Sequence, residues 1–155
     1  MTLKAVGAAE VLIAARALTT LHFAWDFNLA SGTYALFKVK IGHIVHDVWT
    51  RVETAMDSSP TATIGDGDDV DGYLTSSNIA PGTAGTVTTP AIHRSSGIAN
   101  PYQFGKEYVS NDTVDVVWVK GGAPTTGVLK GGAYLSSYKL EGIANEMQMT
   151  LLHSA

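Results

Sequence analysis

The 155-residue chain has no cysteine, which excludes a disulfide scaffold, thiolate metal ligation and thiol redox chemistry. Charge is also scarce. Only 15% of residues are Asp, Glu, Lys or Arg, against roughly 25% in an average soluble domain. The net charge is −4 and no Lys/Arg stripe occurs, so no nucleic-acid partner is expected: neutralising phosphates needs basic side chains. Long apolar runs are missing too. Val11–Ala15 is short and flanked by Glu10 and Arg16, which is too brief and too charged for a signal-peptide core or a membrane span. No membrane partner is expected, and the chain is expected to be made in a cytoplasm. There is no Gly-x-Ser-x-Gly elbow, no Gly-x-Gly-x-x-Gly and no Gly-Lys-Ser/Thr, the signatures of strained nucleophiles and phosphate loops. Gly105-Lys106 is followed by Glu107, whose charge would repel a phosphate. Nothing here nominates a catalytic residue or a cofactor site.

What is present is alternation. Hydrophobic residues make up 45% of the chain, enough to build the core of one domain. In Leu21–Leu29, Leu21, Phe23, Trp25, Phe27 and Leu29 share one face and His22, Ala24, Asp26 and Asn28 the other. That is the period-2 pattern of a half-buried strand, since a helix would scatter the five large groups. Tyr34–Ile41 continues with Ala35, Phe37, Val39 and Ile41 on one face and Lys38 and Lys40 on the other. Ser31-Gly32 between the two runs predicts a hairpin. In Ile44–Ala55, Ile44, His46, Val48, Thr50 and Val52 alternate with Asp47, Trp49, Arg51 and Glu53. A lone Trp among charges suits a contact surface better than a core, although a bulge could turn Trp49 inward.

Thr61–Gly65 reads as a short strand, and Ser76–Pro101 as a long surface excursion with a short strand near Thr86–Thr89. In Asp112–Lys120, Val114, Val116 and Trp118 alternate with smaller or polar residues, and Thr126–Leu140 is a glycine-punctuated strand carrying Tyr134, Ser136, Tyr138 and Leu140 in register. Met147, Met149 and Leu151 mark a last strand or terminal arm in Asn145–Leu152. The expected architecture is all-β: one antiparallel β-sandwich or jelly roll over residues 19–155, preceded by an Ala-rich arm over residues 1–18, extended or briefly helical. Low charge implies that neighbouring protein covers part of the surface, so a homo-oligomer is expected, with a neutral Thr/Ser/Gly-rich but soluble surface as the alternative.

The sharpest local cluster is Gly65-Asp66-Gly67-Asp68-Asp69-Val70-Asp71-Gly72. Asp66, Asp68, Asp69 and Asp71 resemble a calcium loop, but Val70 stands where an EF-hand needs a ligand and no terminal Glu follows. The expected reading is a solvated turn and no metal. His43 and His46 would point to opposite faces of a strand. Trp49, Tyr73, Tyr102 or Tyr138 could stack on a sugar ring, but aromatics on strands more often serve cores or interfaces. Trp49, Arg51, Tyr73 and Tyr102 are the candidate contact residues.

One resemblance goes further. Phe37-Lys38-Val39, Val45-His46-Asp47-Val48-Trp49-Thr50-Arg51-Val52, Ile64-Gly65-Asp66-Gly67-Asp68, Asp71-Gly72-Tyr73-Leu74, Gly105-Lys106-Glu107-Tyr108, Asp112-Thr113-Val114-Asp115-Val116 and Thr126-Gly127 follow one another. In that order, over roughly residues 20–138, the chain resembles small β-rich structural proteins of tailed-phage particles. Each motif is a weak turn or strand signal, and the specificity lies in the order. These relatives are similar to jelly-roll capsid decoration or cement proteins, which bind the outside of an icosahedral head. The resemblance implies a virion protein without catalytic residues, with the major capsid protein and its own copies as partners. Symmetric oligomers being the usual solution, a trimer at a threefold or quasi-threefold position is expected. The alternatives are a tail, neck or head-fibre component or a carbohydrate-binding adhesin module.

Overall fold

Large side chains at every second position need a common interior, and the computed structural model supplies one between two antiparallel sheets. It describes residues 18–90 and 101–137. The strands are β1 (Thr19–Asp26), β2 (Gly32–Val39), β3 (His43–Thr54), β4 (Thr61–Gly65), β5 (Val87–Thr88), β6 (Lys106–Glu107), β7 (Asp112–Val119) and β8 (Val128–Ser137). One sheet has the order β1-β8-β3-β5, with β6 also on the edge of β3, and the other is β2-β7-β4. The chain is an all-β sandwich. A short helical turn, α1 (Ser76–Ile79), is capped reciprocally by Thr75 and Asn78. No helix among the described residues is long and apolar enough to cross a membrane.

The core lies between the layers. Trp25, Val45, Val48, Val52, Leu129, Ala133 and Leu135 come from the larger sheet, and Val39, Ala62, Ile64, Val114, Val116 and Trp118 from the smaller. Trp25 and Trp118 meet edge to face across the gap, their rings 6.3 Å apart. The alternation at Val114, Val116 and Trp118 holds as expected, and Thr61–Gly65 is a strand with the expected bounds. β5 falls inside Thr86–Thr89. Up to residue 90 the remainder of that excursion is less superficial than expected: Ile79 is fully buried and Asn78 nearly so, because the chain folds back over the end of the core.

Three expectations fail, each for a physical reason. β1 and β2 form no hairpin: β1 pairs with β8 and β2 with β7 in the facing sheet. Asp26 ends β1 by accepting the Asn28 N–H at 2.8 Å, and Trp118 Nε1 donates to the Leu29 carbonyl at 3.0 Å, so the connection is drawn across to the other layer. Alternation specifies a face and says nothing about the partner strand. In β2 a bulge between Ala35 and Phe37 shifts the phase, leaving Ala35 exposed while Tyr34, Phe37 and Val39 turn inward; Ile41 lies beyond the strand and is exposed. In β3 a bulge between Val45 and Asp47 puts Val45 in the core and leaves His46 exposed. One extra residue inverts every side chain on one side of it.

The arm expected over residues 1–18 (Leu18 apart), residues 91–100 of the excursion, Tyr138 and Leu140, and the Asn145–Leu152 alternation lie outside the described residues.

Candidate functional site

The acidic loop leaves β4 and returns through Tyr73-Leu74, which pairs with Ile64: Ile64 N donates to the Leu74 carbonyl at 2.8 Å and Tyr73 N to the Ile64 carbonyl at 3.0 Å. A loop closed at its base in this way can be held in one shape. Asp66 turns inward. Its Oδ1 accepts from the Asp68 and Asp69 N–H groups at 3.1 and 3.2 Å and from the Tyr102 hydroxyl at 3.0 Å. Its Oδ2 accepts from Lys106 Nζ and from the Tyr108 hydroxyl, both at 2.7 Å. The three ammonium hydrogens of Lys106 are all used, on Asp66, on Asp68 at 2.8 Å and on the Tyr102 oxygen at 3.0 Å. Tyr108 commits its hydrogen to Asp66, so Tyr73, at 3.1 Å, donates to Tyr108.

The rings complete the enclosure. Lys106 Nζ sits 4.4 Å from the Tyr102 ring centre and 5.0 Å from that of Tyr108, cation–π contacts in a partly dry setting. Tyr73 and Tyr102 pack edge to face at 4.9 Å. Gly72 has no side chain because a Cβ there would enter the Tyr102 ring, and at Gly65 it would enter the Asp69 carbonyl. β6 carries Lys106, and its pairing of Val45 with Lys106 fixes the lysine against the start of β3.

The charges follow from this geometry. Burial pushes the Asp66 carboxyl upward, but Lys106, Tyr108, Tyr102 and the Asp69 N–H outweigh it and hold it below its ordinary 3.8. Burial lowers Lys106, and Asp66, Asp68 and Tyr102 more than restore it, so its ammonium persists far above the ordinary 10.5. Burial, reinforced by Asp66, raises Tyr108, Tyr73 and Tyr102 above 10.0. Every group is driven away from neutral pH, the reverse of the tuning that general acid–base chemistry needs. The cluster is a clamp: a fully hydrogen-bonded charge pair that ties β4, β6 and the loop together.

One pH dependence follows. Folded Asp66 holds its proton less tightly than unfolded Asp66, so the stability it adds is complete above the ordinary 3.8 and is lost as pH falls through the lower folded value. Asp57, lowered chiefly by the Thr125 N–H despite its exposure, acts in the same sense. Asp71, raised by its hydrogen bond to Asp69, acts in the opposite one. The urea midpoint should be flat from neutrality down to about pH 5 and fall below about pH 4. Asp66→Asn should flatten that fall, and an unchanged slope would remove Asp66 as its source.

The residues nominated from sequence are scattered over the molecule. Tyr73 is fully buried under Tyr102 and Tyr108 and presents nothing to a partner, a correction to its nomination as a contact residue. Tyr102 is half-buried and belongs to the clamp. Trp49 stays on the outward face of the larger sheet, as the alternation implied, but is half-buried: its indole lies along Gly132, where a Cβ would meet it, and against the His22 ring at 6.1 Å. Arg51 is exposed beside Lys130, which pairs with Glu53 at 2.8 Å. His46 bonds Ser136 at 2.8 Å, and His43 Nδ1 accepts the Lys40 N–H at 3.3 Å. Among the described residues no group of three His, Asp or Glu could hold a metal ion. In the acidic loop, Asp66 faces the Lys106 ammonium, Asp68 pairs with it and Asp69 accepts the Asp71 N–H. The loop is therefore less solvated than a plain turn. Sequence reasoning weighed Lys106 only as a phosphate-loop lysine and Tyr108 only as part of a motif, and missed that both bond Asp66. The available signal was a lysine spaced between tyrosines at 102 and 108 in a chain with few cations.

No family profile matches the chain, and no curated protein matches it in sequence. Solved structures match by shape. The acidic-stable capsid structure of Helicobacter pylori bacteriophage KHP30 contains a chain superposing with a TM-score of 0.57 at 16% identity, covering 80% of this chain and 91% of that one. A chain of the cyanophage Pam1 capsid asymmetric unit gives 0.57 at 12% identity, covering 79% and 86%. One from the capsid of Ralstonia phage GP4 gives 0.51 at 15%, covering 79% and 86%. This chain therefore shares its sandwich, over most of its length, with small chains found in phage capsids.

Proposed function

We propose that this chain is a non-enzymatic phage virion subunit, a decoration or cement protein that binds the outside of the head through the major capsid protein and stabilises it. The observation that carries the reading is the match in fold, over 79–80% of this chain, to chains of three phage capsid structures. Low charge, large apolar side chains left in solvent, and a clamp that locks a loop without catalytic tuning all accord with a part whose work is mechanical. Residues 19–155 serve as the sandwich and residues 1–18 as an arm reaching a neighbour. The chain assembles as a trimer at a threefold position, where several weak contacts engage together and multiply in effect. A sugar-binding role is less well supported: Trp49 lies along its own sheet, and Tyr73 is buried. Particles lacking this chain should lose integrity at lower temperature and in low salt than complete particles. Equal resistance would sink the reading.

A further inference from the structure

The strand ends gather the exposed apolar side chains unevenly. β2 leads into β3 through residues 40–42, and β6 into β7 through residues 108–111. Val39 pairs with Asp112, Gly65 with Asp115 and Ile44 with Glu107. The acidic loop, the Tyr102–Asn111 segment and the turn before β3 therefore share one pole of the sandwich. Ile41, Val70, Phe104 and Val109 stand there 44%, 58%, 77% and 76% exposed. Gly42 N donates to the Tyr108 carbonyl at 2.7 Å, and Ile41 N to Asn111 Oδ1 at 3.1 Å, which brings Ile41 beside Val109.

Carboxylates surround these side chains. Asp68, Asp69 and Asp71 belong to the loop, Gly67 lies against the Asp112 carboxylate, and Glu107 sits on β6. Among the described residues the cations of the pole are Lys40 and Lys106, and Lys106 is already bound to Asp66 and Asp68. The clamp holds this backbone rigid beneath the surface, so docking there orders little further chain.

We propose that this pole is the face that meets the shell, and that its partner is an apolar surface ringed by Lys and Arg. The inference rests on the decoration reading and adds which surface is used and what chemistry faces it. Charge complementarity decides the partner, since an acidic rim repels an acidic surface and raises the encounter rate with a basic one.

The test is co-sedimentation of the purified full chain with heads from particles lacking it, over a range of salt. Val70→Asp combined with Val109→Asp should weaken binding about tenfold or more, as for apolar contacts at the centre of an interface. Val119→Asp, at the other pole and 47% exposed, should leave binding unchanged. Asp69→Lys and Asp71→Lys together should also weaken it, and added salt should weaken wild type. Circular dichroism of each variant confirms that it is folded. If wild type fails to sediment with heads, the decoration reading and this inference fall together. If wild type binds but the pole variants bind as well as it does, or only Val119→Asp loses binding, this inference alone is overturned.

Discussion

Replacing Asp66 with Asn should cost about 3 kcal/mol of stability at pH 7, near the lower end of what breaking a buried ion pair costs. The amide keeps the shape and its Oδ1 can still accept from Tyr102, but an NH2 replaces the oxygen that accepted from Tyr108 and Lys106, so packing is preserved while the charge and those two bonds go. Lys106 then keeps the Tyr102 oxygen and, as its remaining carboxylate in the clamp, Asp68, whose side chain is largely in solvent. Lys106→Met should cost more, because it leaves a carboxylate with no side-chain exposure facing only neutral donors. The double variant should cost clearly less than the sum of the singles, since partners in one network couple by about 0.5–3 kcal/mol. Urea midpoints at constant slope measure all three. For a chain of this size the Asn variant should melt roughly 10 °C lower. A loss under about 1 kcal/mol would reduce the pair to an ordinary surface bridge.

Trp118→Ala should be as damaging, at about 3–5 kcal/mol, the range for emptying a large aromatic site. Trp118 is fully buried at the middle of the smaller sheet, beside Ala62 on β4 and Gly32 on β2. Its ring meets Trp25 from the other layer, and its Nε1 anchors the β1–β2 connection through Leu29. Alanine would leave a cavity between two rigid sheets that cannot collapse into it. Trp118→Phe separates the contributions: it keeps most of the ring contact, loses the bond to Leu29, and should cost about 1–2 kcal/mol. Near-ultraviolet circular dichroism should lose intensity from the Trp25–Trp118 pair in both variants. If alanine were tolerated with less than about 1 kcal/mol, the two layers would not depend on this contact.

The clamp also bears on how the acidic loop is understood. Four aspartates in six residues look like a cation site, and a cation is indeed what Asp66 faces. That cation is covalently part of the chain, carried forty residues away by Lys106. A buried carboxylate with five donors rigidifies a loop that hydration alone would leave loose. The glycines at 65 and 72 are set by close approach to Asp69 and Tyr102, a requirement visible only once those neighbours are in place.

By itself the sequence determined the class of fold and most of the inward faces. Period-2 alternation at Leu21–Asp26, Val48–Val52 and Val114–Trp118 leaves one face apolar, and water drives that face inward whatever the pairing. It also determined that the surface would be poor in charge. Tertiary structure alone decided the rest: that β1 and β2 lie in opposite sheets, that bulges bring Val45 into the core and leave Ala35 outside, that Tyr73 is enclosed and Trp49 half-covered, and that Asp66 and Lys106 meet. Faces are a local property, fixed by where each Cβ points. Partners, bulges and long-range ion pairs depend on which distant segments close upon one another, and no periodicity within a single strand records that.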